Sequence, residues 1–320
     1  MDSKEALTAP EVAELLNITK NTVYEIVKRG EIPAYKIGKK LRIDRQDVED
    51  YINNQKEGSN QAKAAKQFNV IQGELAAPKT NNLSTQKDII ISGQDYIMDI
   101  LADKINESVK DIRVLRSNIG SFTSLFQLYN NEISMCSVHL WDGDTNEYNT
   151  AFVRKLLPGI SCIIINMAYR MQGFYVAKGN PHNIKGWSDL AKPGITMINR
   201  EKGSGTRVLL DEKLRLHNID AESIRGYNDE KKTHISIASS IARGEGDIGI
   251  GTEKVAYQVQ GIDFIPLQEE RYDLVIKSSY LKDPLYKLIV EIIQSQDFKN
   301  ILEGIGGYNL KDIGKILAKT

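Results

Sequence analysis

The sequence predicts a two-part chain, a small module of short helices and a basic hairpin followed by a much larger α/β domain. Three observations carry this reading. Helical apolar spacing near the N-terminus gives way to an alternating strand, glycine turn and second strand. A polar stretch then interrupts the pattern, and from Asp88 onward short apolar runs alternate with helical segments. The 320 residues, 41% hydrophobic and 26% charged, suffice for two or three globular domains. Forty-two basic residues balance forty-two acidic ones, so nucleic-acid contact requires a local basic patch rather than a globally basic surface.

The first module is built on Thr8-Ala-Pro-Glu11, a capping box with an early proline, ahead of Val12, Leu15 and Leu16 at helical spacing. After a break at Asn17-Ile18, Thr19 caps a second helix whose buried stripe is Val23, Ile26 and Val27, with Gly30 as its stop. Residues 34 to 43 read as a hairpin turning at Gly38, and Asp44 to Asp47 opens a short closing helix that runs to about Ile52. Two helices with a tight turn, then a hairpin, define a winged helix-turn-helix. Between Lys20 and Arg45 there are eight basic residues against three acidic ones, a local charge of +5 that suits phosphate contacts. Lys20, Asn21, Thr22, Tyr24 and Lys28 lie off the apolar stripe and can face a major groove. Lys36, Lys39, Lys40 and Arg42 belong to the wing and can reach adjacent backbone. A solvated helical face with a charged turn is the plainer alternative. Gly30 to Ile43 carries the pattern G-x-I-P-A-x-K-x-G-x-x-x-R-I and resembles the excisionase and MerR-like DNA-binding modules. The resemblance implies double-stranded DNA as a partner.

The expected boundaries are 1–53 for this module, 54–87 for a polar linker and 88–320 for the larger domain. In the latter, strands are expected at Ile89–Ile91, Ile112–Leu115, Met135–Leu140, Ile160–Ile165, Thr196–Ile198, Ile248–Ile250, Phe264–Leu267 and Leu274–Ile276, forming a mainly parallel sheet. Three strand-to-helix junctions carry glycine and hydroxyl residues: Ser92-Gly93, Gly120-Ser121 and Gly203-Ser-Gly-Thr-Arg207. Helix N-termini offer free N–H groups and partial positive charge, and glycine admits an anion close to the backbone. Each junction has a capping or turn explanation too. The last is the most suggestive, because paired glycines, two hydroxyls and a cation suit a tetrahedral anion. It lacks the Gly-Lys-Ser/Thr ending of a nucleotide-binding loop.

Blocks such as "SGQDYIMDILAD", "SNIGSFTSL", "NMAYRMQGFYVAKGNP", "INREKGSGTRVLLD", "GEGDIGIGTE" and "EERYDLVI" make residues 88 to 305 similar to the periplasmic-binding-protein-like domain attached to bacterial regulators and molybdenum-cofactor proteins. The resemblance implies a two-lobed, type 2 binding-protein fold of the molybdate and tungstate receptor kind. It also implies Ser92, Ser121, Ser204, Thr206 and Tyr272 as ligand donors, with Arg207 supplying charge. His139 and His234 are either further donors or packing residues. Arg170 either meets the ligand or locks a lobe through buried carboxylates. Whether Asp95 faces the cleft bears on selectivity, since a carboxylate accepts from a protonated oxyanion and repels a fully ionised one.

Together these readings imply a one-component transcriptional regulator sensing molybdate or tungstate, acting as a homodimer or higher oligomer on repeated half-sites. The alternatives keep the fold and change the ligand to phosphate, sulfate, an organic acid or a molybdenum-cofactor precursor. An architectural excisionase-type protein leaves the large domain idle. An enzyme is disfavoured by the lack of any Ser-His-Asp order, Cys-His pair or metal-ligand spacing, so no catalytic residue, cation or cofactor is expected. Cys136 and Cys162 lie in apolar runs and read as buried thiols. With neither a secretory apolar core nor about 18 consecutive apolar residues, a cytoplasmic location off the membrane is expected.

Overall fold

The computed structural model describes residues 6–16, 18–28, 32–37, 40–48 and 87–320. They belong to two compact units, one on each side of residue 84.

In the small unit, α1 (Ala9–Leu15) starts where Thr8 N–H donates to Glu11 Oε2 at 2.7 Å, with proline in the first turn. α2 (Lys20–Lys28) begins after Thr19, whose Oγ1 accepts from Thr22 N–H. β1 (Ala6–Leu7), β2 (Tyr35–Ile37) and β3 (Lys40–Asp44) form a three-stranded sheet with β3 in the middle, and residues 45–48 are helical. Val12, Val23, Ile26, Ile32, Ile43 and Val48 are all buried in one cluster. That cluster joins α1, α2, the wing and the final turn, so the module carries its own core. The expected closing helix beyond residue 48 lies outside the described residues.

The larger unit is organised by two unusually long strands, β9 (Cys162–Ala177) and β13 (Ile262–Lys277), paired antiparallel along their whole length. On one side of this pair stand β6 (Met135–Val138), β4 (Lys87–Ser92) and β5 (Ile112–Ser117); on the other stand β12 (Ile248–Thr252), β10 (Met197–Arg200) and β11 (Glu230–Lys231). β14 (Ile316–Lys319) adds to β9. Two lobes therefore share one mixed sheet. The expected strands at Phe264–Leu267 and Leu274–Ile276 are parts of one strand, and the expected strand at Ile160–Ile165 continues to Ala177. The sheet is also less parallel than anticipated. Ladders inside each lobe are parallel, but β9 and β13 meet each other and their neighbours antiparallel.

The first lobe is covered by α3 (Ile97–Ser108), α4 (Ser121–Tyr129), α5 (Thr150–Leu156), α9 (Pro284–Gln294) and α10 (Gln296–Ile305). Its two cores centre on Ile91, Leu101 and Ile289, and on Leu125, Val138 and Val153. The second lobe carries α6 (Gly205–Leu216), α7 (His234–Ala242) and the short α8 (Glu253–Ala256). Its sheet is packed by Phe174, Leu210 and Ile248 in one cluster and by Tyr175, Ile198 and Ile237 in another. Cys136 and Cys162 are buried and unpaired, and burial raises both thiol pKa values, Cys162 to about 11. No helix among the described residues is long and apolar enough to cross a membrane.

The lobes touch in more than one place, and α6 forms the main seam. The hairpin of β7 (Trp141–Asp142) and β8 (Glu147–Tyr148) leaves the first lobe and packs Trp141 and Tyr148 against Leu209 of α6, with Trp187 alongside. Gly143 N–H donates to Glu212 Oε2 at 3.0 Å, Arg215 pairs with Asp144 at 2.8 Å, and Lys213 Nζ lies 3.8 Å from the Trp141 ring centroid.

Candidate functional site

A cavity of about 500 Å³ lies between the lobes. Helix starts from both lobes reach it: Gly120-Ser121 at α4 from the first, and Thr233-His234-Ile235 at α7 from the second. A helix start carries orphan N–H groups and a partial positive charge, although at α4 the Phe122 N–H is taken by Gly203 O. Ser121 is buried, and its Oγ accepts from His139 N–H at 3.3 Å. At α7, Thr233 Oγ1 accepts from Ser236 N–H, fixing the first turn and thereby the position of His234.

The hinge strands supply the charged floor. Arg170 of β9 sits opposite Glu270 of β13 in the strand register, and the two form an ion pair through Nη2 and Oε1. Arg170 Nη1 donates to Asp95 Oδ2, and the guanidinium lies 4.1 Å from the Tyr272 ring centroid. Its Nε is buried without a hydrogen-bond partner. Asp95 lines the cavity and also accepts from Tyr308 Oη at 2.7 Å and Ile97 N–H at 2.9 Å. Behind the wall, Glu270 Oε2 lies 2.8 Å from His139 Nδ1 and accepts from Gln172 Nε2 at 2.7 Å. Burial alone raises the Glu270 pKa, yet Arg170, His139 and Gln172 together bring it down to about 2. His234 is held neutral, first by burial and then by the charge of Arg200, whose Nη1 lies 3.2 Å from His234 Nε2. Tyr272 Oη and Ser137 Oγ are 2.5 Å apart, and burial keeps the phenol protonated.

Of the residues expected as ligand donors, Ser121, His139 and Tyr272 line the cavity. Ser92, Ser204, Thr206 and Arg207 do not. Ser92 Oγ is turned into the first lobe, 2.7 Å from Ser124 Oγ and 3.1 Å from Ser117 O. Ser204 caps α6: its Oγ accepts from Arg207 N–H and donates to Glu201 O. Thr206 is buried beside Gln172. Arg207 is engaged by Asp211, Glu230 and the carbonyl of Arg200, and stacks 4.1 Å from the Tyr227 ring centroid.

The glycines of this segment serve lobe contact instead of anion approach. A Cβ on Gly205 would lie 2.6 Å from the His139 ring, and one on Gly120 would lie 2.7 Å from Gly203 O. Phe122 N–H donates to Gly203 O at 3.0 Å across the same seam. Composition cannot separate a glycine that admits a ligand from one that admits another helix. Three residues whose role the sequence left open, Asp95, Arg170 and His234, reach the cavity, and so do Gln94 and Lys254, which were not among the candidates. The Thr233 to Ser236 capping signal was the one local cue to the α7 start.

In the small unit, Lys20, Asn21, Thr22 and Tyr24 are exposed along α2, and Arg42 is half-buried on β3. They share one module, in the helix-then-wing arrangement expected of a groove reader. The side chains of Lys28, Lys36 and Lys40, and Lys39 entirely, lie outside the described residues.

Two lobes hinged on paired long strands, with a cleft between opposed helix starts, define a binding-protein domain. The chain belongs to the PBP superfamily, whose domain model matches residues 102–294, and a helix-turn-helix domain model matches residues 6–56. It is 38% identical over 323 residues to the uncharacterized protein YvgK of Bacillus subtilis (strain 168), covering all of both chains. The sulfate-binding protein of Salmonella typhimurium is 26% identical over 157 residues, 45% of this chain and 48% of that one. Among solved structures, a Clostridium perfringens phosphate transporter substrate-binding protein with bound phosphate aligns with a TM-score of 0.51 at 15% identity, covering 70% of this chain and 99% of the other. That likeness establishes the fold. The chain thus joins a DNA-binding type of module to a ligand-binding type of domain, the make-up of a ligand-responsive regulator, and neither domain is of an enzymatic family.

Proposed function

We propose that this protein is a one-component transcriptional regulator whose cleft takes a ligand presenting a tetrahedral oxyanion, with molybdate and tungstate as the bare forms. The observation that supports this most is the convergence of the α4 start at Ser121 and the α7 start at His234 on one cavity that Arg170 also lines. Hydroxyl, backbone N–H and neutral imidazole donors hold an oxyanion without stripping a full counter-charge from water. The sulfate- and phosphate-binding relatives are in keeping with that ligand chemistry. Ligand that favours one lobe arrangement alters DNA affinity, and DNA alters ligand affinity by the same factor, typically ~1–3 kcal/mol. Two copies on repeated half-sites provide the contacts that a single small module lacks.

The test is thermal unfolding of the full chain with molybdate, tungstate, sulfate and phosphate in parallel, followed by operator binding with and without the stabilising ion. Ligand at 100 times its Kd adds ~2.7 kcal/mol. At about 2–4 °C per kcal/mol for a domain of this size, the midpoint rises by roughly 5–10 °C. DNA affinity indifferent to an ion that stabilises the protein refutes the coupling.

A further inference from the structure

The cavity is much larger than a bare oxyanion needs, and the lobes are already in contact beside it. Gln94 of the first lobe donates to Glu201 Oε1 at 3.2 Å and accepts from Arg200 Nη2, both in the second lobe. Phe122 meets Gly203, and Gly143 meets Glu212. About 500 Å³ remains with these contacts made. At roughly 30 Å³ per water, that is on the order of fifteen waters, of which a five-atom ion displaces only a few. The volume falls within the ~300–1,000 Å³ range of sites that enclose whole organic ligands.

The wall chemistry points the same way. Tyr96, Ile235 and Ile305 line the cavity while remaining 60%, 47% and 37% exposed, so apolar surface faces water at its mouth. Ile119 and Val255 continue that surface inward. A small dianion covers none of it, whereas an apolar body does. Asp95, on the wall, accepts three hydrogen bonds and retains acceptor capacity. A fully ionised dianion is repelled there, whereas the N–H or O–H of a larger molecule is attracted.

We propose that the ligand is an organic anion: its oxyanion group sits at Ser121 and the α7 start, a ring-bearing apolar body packs on Tyr96, Ile235 and Ile305, and a neutral donor faces Asp95. The proposal rests on the cleft being the effector site. It is tested by titration calorimetry on the full chain with phenyl phosphate, inorganic phosphate and molybdate, in the parent and in Tyr96→Ala and Ile305→Ser. Both substitutions are at exposed positions and leave the oxyanion end intact. Phenyl phosphate is expected to bind at least tenfold tighter than either inorganic ion, with the gap narrowing several-fold in each variant and phosphate affinity unchanged. Inorganic ions binding as tightly as phenyl phosphate, or a gap that survives both substitutions, overturns the organic body while leaving the oxyanion reading in place. No binding of any of the three overturns both.

Discussion

Replacing Arg170 by methionine tests the charged floor of the cleft most directly. The guanidinium is 5% exposed and faces Asp95 and Glu270, the latter 1% exposed. Methionine keeps much of the apolar stem but removes the cation, leaving one carboxylate fully buried and another nearly so. Breaking a buried pair in this way costs about 3–5 kcal/mol, and the contact with the Tyr272 ring is lost as well. At roughly 2–4 °C per kcal/mol, the midpoint of the ligand-free protein falls by about 10 °C at pH 7.5. The loss also depends on pH. In the parent, Glu270 is depressed to about 2, so its stabilisation is complete above its unfolded pKa and disappears only as pH falls through about 2. Without Arg170, burial is the leading influence and the folded pKa rises above the unfolded value of ~4.3. The ionised form is then penalised at neutral pH and relieved as protons bind. Thermal unfolding of both proteins from pH 8 to pH 5 is expected to show the gap narrowing on acidification. A variant as stable as the parent, or a gap constant over that range, refutes the assignment of Arg170 as counter-ion to a buried carboxylate.

Ser121→Ala is expected to weaken oxyanion binding about tenfold by calorimetry while ligand-free DNA affinity holds; loss of that DNA affinity contradicts the separation of roles. Ser204→Ala, by contrast, is expected to cost about 1 kcal/mol of stability through its lost α6 cap with ligand affinity kept, checked by denaturant unfolding and titration. Leu209→Ala, at the lobe seam, is expected to cost about 2–5 kcal/mol. Because both tryptophans of the chain pack there, emission from the folded variant should also shift to the red; unchanged emission argues against a loosened seam. Lys20→Ala and Arg42→Ala are each expected to weaken binding across DNA sequences alike and to reduce the salt slope by about 1, as read by fluorescence anisotropy.

The helix-turn-helix was legible because every determinant is local: the Thr8 to Glu11 box, the Val23 and Ile26 stripe, and the alternation around Gly38 set elements within a few residues of each other. Strand positions in the large domain were legible for the same reason, since Ile89, Val114 and Ile248 are apolar in short runs wherever they end up. The length of β9 and β13 was not. Arg170, Gln172, Glu270 and Asp273 interrupt the apolar pattern, and only their pairing across the hinge and with His139 and Asn149 makes burial of such residues possible. The site divides along the same line. A hydroxyl beside a glycine at a helix start is visible in the chain, and it marked Ser204 more strongly than Ser121. Packing of α6 against His139 and Gly120 closes one of these starts, while α4 and α7 remain open to the cleft. Local sequence determines which helix ends are able to hold an anion; the approach of two lobes, a contact between residues a hundred positions apart, decides which of them a ligand can reach.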